Sequence, residues 1–485
     1  MSVVRSPSIA VALSFVLPGL GQLSLGSVRR GILLAFPAVA VFVVFVAAAQ
    51  AGGGTILDVL LRRETLAAFL VLNAVLACYH LIAIADAYRI ATRLRAAGRP
   101  AARRASALVL GVVLAATVGL HGALEALGYQ AYETFGSVFV PSEPGDGWAV
   151  PEPSFEPEAS PTSRPSPSVA PSASVTPTLS PSHTAVPTPS ATPTPPWAAD
   201  GRLNLLLIGS DAGPDRWSLR TDTMVVLSVD VETGRAALFG IPRNLVGVPL
   251  PPESAGAFKS GRFPGLLNAL YVYAMGHPRQ FPGGDARGFR AVTGAVQELV
   301  GVRLDDVVVV NLAGFVRLVD AIGGLWIDVP KRLVDRNYPL ENGRGHISLD
   351  IKPGCQLVDG RMALAYARSR HQDSDYGRMG RQQRVLVALA RQVDPIALLP
   401  KVPELLDIAK GNLWTTVARA DIRGLAELAA RVDTAWVETV LVIPPRYPSH
   451  LTSAEIKQIR GVVRSVFEGG AIGSPSPGEA PPACP

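Results

Sequence analysis

At 485 residues, with a net charge of +6 and a mean hydropathy of +0.28, the chain is too long for one ordinary domain and too apolar for a wholly soluble one. A pI of about 9.3 would suit nucleic acid, but the basic excess is concentrated in one loop between apolar segments and in one arginine cluster, which argues against a nucleic-acid partner. The apolar residues crowd before residue 130, so the composition divides the chain into parts.

Ile9 to Val28 is apolar but broken by Pro18-Gly-Leu-Gly-Gln22, which suits either a transmembrane span or a re-entrant hairpin. The hairpin is favoured because Arg5 and Arg29-Arg30 then share one side. Ile32 to Ala51, Leu66 to Tyr88 and Ala107 to Leu127 each offer about twenty mostly apolar residues, the length a helix needs to cross a bilayer. Arg89, Arg93, Arg95, Arg99, Arg103 and Arg104 lie between the last two, against Arg62 and Arg63 in the first loop. The longer cluster is expected in the cytoplasm, which puts everything after residue 130 outside. A cleaved signal peptide is the rival reading, opposed by a weak positive n-region and the spans that follow. The expectation is a multi-pass cell-membrane protein with a membrane region over 1–130 and an extracytoplasmic head.

Residues 131–200 are a linker, built from Pro141 to Pro196 mainly of Pro, Ser and Thr with acidic residues near its start, a composition with almost no apolar residue to form a core. Fully extended as polyproline II, roughly 55 residues at ~3.1 Å each would reach on the order of 170 Å. Of the three cysteines, Cys78 falls inside an expected span, whereas Cys355 and Cys484 fall outside, where disulfides persist. A bridge between them would pin the tail, 471–485, to the head; two independent thiols are the alternative.

The head, 201–470, alternates strands and helices. Asn204 to Ser210 reads as a buried strand delivering a loop that begins at Asp211, followed by strands at Thr223 to Asp230 and Arg235 to Ile241. Helical spacing marks Leu266 to Met275, Ala286 to Val300 and Leu312 to Ile322, with strands at Asp306 to Asn311 and Leu325 to Val329. Further helices are expected over Gln382 to Val393, Ile396 to Ala409, Ile422 to Ala430 and Ser453 to Phe467, with a strand at Val437 to Ile443. This is an α/β pattern, a mixed sheet sandwiched by helices, behind an all-α membrane region.

Three places in the head could hold charge. Asp211 and Asp222 lie at the mouths of neighbouring strands, an arrangement for a hard cation that keeps its waters and bridges to a phosphate; each also reads as a turn or cap residue. Arg243 leaves a strand end in Ile241-Pro-Arg, and Asn268 and Asn311 are weaker candidates that read equally as caps. Arg368, Arg370, Arg378, Arg381 and Arg384 surround Asp373 and Asp375 just after an apolar run. Guanidinium forks match phosphate oxygens in pairs, so the cluster reads as a pyrophosphate site or as a solvated basic helix.

Seven stretches in order resemble the LytR-CpsA-Psr family: Leu205-Leu-Leu-Ile-Gly-Ser-Asp211, Arg220-Thr-Asp-Thr-Met224, Ile241-Pro-Arg243, Leu267-Asn-Ala-Leu-Tyr271, Leu318-Val-Asp-Ala-Ile-Gly-Gly324, Leu357 to Arg370, and Asp373 to Arg378 with Arg381-Gln-Gln383. The resemblance covers about 203 to 395. It implies a phosphotransferase that moves a glycopolymer from a polyprenyl-pyrophosphate carrier in the membrane lipid onto a peptidoglycan hydroxyl. By the same resemblance Asp211 and Asp222 would hold Mg²⁺. Arg220, Arg243, Arg368, Arg370, Arg378, Arg381 and Gln382 or Gln383 would grip the pyrophosphate, with Asn268 beside it. Asp375 or Asp373 would orient them or act as base, and the apolar faces of 286–300 and 312–322 would line a prenyl tunnel. The family usually has Asp where this chain has Asn244 and Lys where it has Leu266. Those departures keep a second reading open, a non-catalytic scaffold that binds lipid-linked glycan; a membrane-bound transcriptional regulator conflicts with a head placed outside.

Overall fold

The computed structural model describes residues 6–50, 63–94, 100–139, 200–211, 220–339, 345–372, 374–393, 397–434, 437–469 and 484. Of the expected linker, 140–199 lie outside the described residues, as does Asp373, while 131–138 are not linker but the end of a helix that runs from Pro100 to Val138. The chain divides into two compact units, one of residues 1–139 with 400–411, the other of 140–399 with 412–485.

The first unit holds α1 (Pro7–Val16), α2 (Leu20–Ser24), α3 (Val28–Gln50), α4 (Arg63–Leu94) and α5 (Pro100–Val138). Within it, Glu64–Leu94 and Arg104–Val138 are long and apolar enough to cross a membrane by length and composition. The third expected span falls on α3, which contains Pro37 and several side chains outside the described residues. A span over Ile9 to Val28 does not form. Its first part, α1, has 10 residues and would cover about 15 Å of a ~30 Å hydrocarbon core. The chain then turns at Gly19, in the left-handed region at φ 98°, where a Cβ would lie 2.2 Å from the Gly31 carbonyl. The long helices turn Val71, Val75, Ile82, Leu108 and Val112 outward and bury Asn73, Ser14 and Gln22, the reverse of a water-soluble helix bundle.

The second unit is built on a six-stranded mixed sheet in the order β11-β6-β1-β2-β3-β12. Its members are β1 (Arg202–Ser210), β2 (Thr221–Asp230), β3 (Ala236–Gly240), β6 (Asp306–Asn311), β11 (Leu413–Thr415) and β12 (Glu438–Leu441). β2 runs antiparallel to β1 and β3, and β6 runs parallel to β1. Three two-stranded sheets flank it: β4 (Val246–Pro249) with β5 (Arg262–Leu266), β7 (Leu325–Val329) with β10 (Gly354–Val358), and β8 (Leu333–Pro339) with β9 (His346–Ile351). The helices are α6 (Leu270–Gly276), α7 (Arg287–Val300), α8 (Leu312–Ala321), α9 (Gly360–Arg368), α10 (Asp375–Gln392), α12 (Ile422–Ala429) and α13 (Ser453–Phe467), while α11 (Val402–Ala409) belongs to the first unit.

Strand alternation sends Leu206 and Ile208 of β1 into the main core, where they meet Val292, Val296 and Leu299 of α7 and Ile459 and Val463 of α13. The other face of β3 and β12 packs against α10. A second core joins α8, α9 and α10 to β7 and β10. Gly360 permits that junction, since a Cβ there would lie 2.1 Å from the Val316 carbonyl.

Three helix expectations shift. The stretch from Leu266 begins as the end of β5 and a 3₁₀ turn, so the helix starts at Leu270. The stretch from Ile396 becomes helical at Val402, after Pro400 and with Pro403 in its first turn. α10 begins seven residues before Gln382, capped by Ser374, whose Oγ accepts from Gly377 N.

Candidate functional site

The site gathers at one edge of the main sheet. Because β1 and β3 run parallel with β2 reversed between them, the end of β1 (Asp211), the start of β2 (Asp222) and the exit of β3 (Ile241-Pro-Arg243) fall together. The loop after β3 is held by Asn268 N donating to Arg243 O at 3.0 Å and Leu267 N donating to Leu245 O at 2.8 Å, which brings Asn268 up to Asp222. The Asn268 side chain hydrogen-bonds the Asp222 carboxylate.

Arg243 is the hub. Its Nη1 donates to Asp222 Oδ1 at 2.6 Å, and its Nε and Nη2 donate to Asp375 Oδ2 and Oδ1 at 3.2 and 3.3 Å. Asp375 also accepts from Arg378 Nη2 at 3.1 Å and faces Arg370 Nη1 at 3.7 Å. Burial would push the Asp222 carboxyl up, but Arg243, Arg378 and Asn268 outweigh it and hold it below the usual carboxylate range. Burial lowers Arg378 to about 10, with Asp375 opposing; its Nε is buried without a hydrogen-bond partner. Three guanidinium groups therefore converge on the Asp375 carboxylate, which places it to fix the arginines. Arg220 and Arg368 have no side-chain hydrogen bond or ion pair among the described residues; Arg220 is exposed and Arg368 half-buried at the end of α9.

The cluster is therefore carried on the first turns of a helix, which spaces Asp375, Arg378 and Gln382 along one face. It also sorts the expected ligands. Gln382 donates to Thr223 Oγ1 at 2.8 Å, next to Asp222, whereas Gln383 points to the backbone, to Leu238 O at 3.2 Å and Val440 O at 3.3 Å. Arg381 is not a rim residue: it is 5% exposed, and it donates through Nε to Tyr366 O at 2.8 Å and through Nη2 to Ser369 O. Both are fasteners, Gln383 of the sheet to α10 and Arg381 of the turn that follows α9. Arg384 faces solvent. Asn311 caps α8, accepting from Gly314 N at 2.7 Å.

One positioning group escaped the sequence reading. Asp335 of β8, 1% exposed, accepts from Ser369 Oγ at 2.7 Å and pairs with His371 Nδ1 at 2.9 Å. Burial raises its carboxyl, and Ser369 and His371 more than compensate, holding it below the usual range. It thereby anchors the segment that carries Arg368 and Arg370. A lone Asp in Leu-Val-Asp-Arg gives no sign of this, because the contact spans 34 residues.

Beside Arg243 opens a cavity of about 570 Å³ whose apolar wall is Phe263, Leu266, Ala269, Val272 and Tyr273, with Arg220, Asn244 and Asn268 also lining it. The helices expected to line a tunnel do not border it; α7 is packed into the main core and α8 into the second. Asn244 Oδ1 is buried without a partner. Asp211 accepts from Arg220 N at 2.7 Å and returns Asp211 N to Arg220 O at 3.2 Å, closing the base of the intervening loop. No group of three or more His, Cys, Asp or Glu suited to a metal occurs among the described residues. Two carboxylates, Asp222 held anionic, suit an ion such as Mg²⁺ that completes its shell with water and substrate oxygens. Away from the site, Cys355 and Cys484 are joined by a disulfide with Cα atoms 5.5 Å apart.

Comparison with known proteins adds sequence to this geometry. The LytR_cpsA_psr family model matches residues 172–445, more than half of the chain. "Biofilm regulatory protein A" of Streptococcus mutans is 25% identical over 220 residues, covering 44% of this chain and 50% of that protein. A "Polyisoprenyl-teichoic acid--peptidoglycan teichoic acid transferase TagU" of Halalkalibacterium halodurans is 27% identical over 286 residues, covering 56% of this chain and 81% of that protein. The chain spans about half the length of the first curated relatives it matches. Among solved structures, that of B. subtilis TagV aligns with a TM-score of 0.41 at 21% identity, over 55% of this chain and 97% of that one.

Proposed function

The chain belongs to the LytR_cpsA_psr family, and we propose from that premise that its head is a wall-glycopolymer transferase. In this reading it carries a glycan from a polyprenyl pyrophosphate to a peptidoglycan hydroxyl. The acceptor oxygen attacks the glycan-bearing phosphorus, a new P–O bond forms, and the bond to the bridging oxygen breaks. Polyprenyl phosphate leaves with that oxygen, and the hydroxyl proton passes to solvent. The observation that carries the proposal is Arg243 bridging Asp222 and Asp375 at the mouth of an apolar-walled cavity, with Arg220 on the cavity lining and without a carboxylate partner among the described residues.

Phosphoryl transfer depends mainly on positioning and on neutralising charge. Arg220, Arg368 and Arg370 bind phosphate oxygens; Asp375 and Arg378 fix the orientation of Arg243; Gln382 buttresses Thr223 beside Asp222. Asp211 and Asp222 would hold Mg²⁺, which when bound neutralises phosphate oxygens. The apolar wall receives the first part of a prenyl chain, worth about 0.8 kcal/mol per buried CH₂. The outward-facing apolar side chains of α4 and α5 support anchoring in the cell membrane, with the head on the extracytoplasmic side.

The test uses the full chain with Mg²⁺, a polyprenyl-pyrophosphate-linked glycan and peptidoglycan, and measures phosphodiester formation and release of polyprenyl phosphate. Arg368→Ala and Asp222→Ala each lower turnover by about 10²-fold or more, and chelation of Mg²⁺ abolishes it. Full turnover in both variants sinks the site assignment. The unpartnered Asn244 and the rim residue Leu266 favour the scaffold reading, which is selected by saturable glycan-lipid binding without turnover.

A further inference from the structure

The inward face of the N-terminal helices carries polar side chains that touch one another. His80 of α4 and His121 of α5 meet edge to face, ring centroids 5.7 Å apart at 90°, with His80 Nδ1 3.4 Å from His121 Nε2. His80 Nε2 lies 3.1 Å from the carbonyl oxygens of both Ser14 and Phe15, where α1 ends. His121 Nδ1 lies 2.9 Å from Asn73 Oδ1. The Asn73 amide cannot be turned over without loss, because its Nδ2 donates to Glu125 Oε2 at 2.7 Å and to the His121 carbonyl at 3.0 Å.

These contacts set a proton count. Carbonyl oxygens only accept, so His80 Nε2 must carry a proton; Asn73 Oδ1 only accepts, so His121 Nδ1 must carry another. The ring-to-ring bond needs a third. Two neutral imidazoles bring one each, so every contact is made together only when the pair holds one extra proton and a positive charge. Glu125 stands two hydrogen bonds away, through Asn73, to balance it.

We propose that His80 and His121 form a proton-binding site, separate from the phosphate site, whose loaded state ties α1, α4 and α5 together. Loss of the extra proton obliges one link to open: to the end of α1, to Asn73, or between the rings. The surrounding charges are few. α1 and α2 contain no titratable residue. α3 contributes Arg30, which pairs with Asp86 of α4 at 2.9 Å, and Gln22 connects that pair to Ser14 through contacts of 3.2 and 3.3 Å. α5 contributes Glu125. In a setting of apolar helices, ionisable groups turned inward and paired this way are built for function rather than for solvation.

The experiment is ¹⁵N-histidine NMR of the full chain in lipid nanodiscs, titrated between about pH 5 and 9, with His80→Gln and His121→Gln assigning the two rings. The expected result is one proton taken up by the pair in a single coupled step, seen at both rings at the same midpoint. Glu125→Gln, which keeps the size of the side chain and removes its charge, lowers that midpoint by about one pH unit. It decides the matter if the histidine variants fail to assemble. Rings that titrate independently, or a midpoint that Glu125→Gln leaves in place, would overturn the proposal.

Discussion

Replacing Arg243 tests the site at its hub. The side chain makes three charged hydrogen bonds, of 2.6, 3.2 and 3.3 Å, to two carboxylates, and all three side chains are between 16% and 25% exposed. Breaking a fully buried ion pair by removing one partner costs about 3–5 kcal/mol; with this much solvent access, Arg243→Ala should cost about 2–3 kcal/mol. Arg243→Lys keeps the charge but not the fork, reaches one carboxylate at a time, and should recover about half of that. Turnover should fall about 10²–10³-fold for Ala and about tenfold for Lys, because the loss falls on a group positioned for developing charge. Stability carries a pH signature as well. Folded Asp222 titrates below its unfolded value, so its stabilisation is present above about pH 4 and is lost as pH falls through the folded value. Without Arg243 the folded value rises, and acid unfolding of the full chain, followed by tryptophan fluorescence, should begin at higher pH. Turnover within threefold of the parent together with an unchanged acid limb would refute the reasoning.

Asp335→Ala should release Ser369 and His371 and lower turnover by about tenfold while leaving in the chain the arginines proposed to bind phosphate, and its Michaelis constant for the lipid pyrophosphate should rise; unchanged kinetics would show that Arg368 and Arg370 are held by other contacts. Asp305 behaves oppositely to Asp222: burial raises it to about 7, so its contribution is present below about pH 4 and is lost as pH rises through about 7. Asp305→Asn retains an acceptor for Asn204 N, now 2.7 Å from the carboxylate, so the variant should be more stable above pH 7 by on the order of 2 kcal/mol in urea unfolding, with no gain at about pH 4.

Much of the head was readable because its signals are local. β1, β2, β6 and β7 are apolar runs closed by small or polar residues, and α7, α8 and α13 repeat apolar positions at helical spacing. The hairpin β8–β9 was not readable: His346, Ile347 and Ser348 are exposed on β9, so no alternation marks it. The helix that apolar spacing alone would begin at Ile396 starts only at Val402, after Pro400, with Pro403 accommodated in its first turn. In the site, charge type was legible but direction was not. Arg378 and Arg381 are three residues apart on one helix, yet one reaches Asp375 and the other the carbonyls of Tyr366 and Ser369. Only the helix phase, set by a start at Asp375 that the Arg-rich sequence concealed, separates the partner of Asp375 from a fastener of the backbone, since both side chains are buried.

That separation determines what the cluster can do. Guanidinium groups confined together repel one another, and the cost is offset where carboxylates stand between them. Asp375 stands among Arg243, Arg370 and Arg378, and Asp222 takes the remaining arm of Arg243. Arg220, Arg243, Arg368, Arg370 and Arg378 nevertheless outnumber Asp211, Asp222 and Asp375, so the rim has surplus positive charge before any metal is counted. A site with its charges evenly matched would hold its own shape and gain little from an anion. Surplus charge on arginines already oriented by half-buried carboxylates would gain most as negative charge builds on a leaving phosphate, and would spend little reorganisation in doing so. On the proposed reaction the carboxylates of this cluster act through the arginines, so removing Asp375, which contacts the guanidinium groups of Arg243, Arg370 and Arg378, should damage turnover.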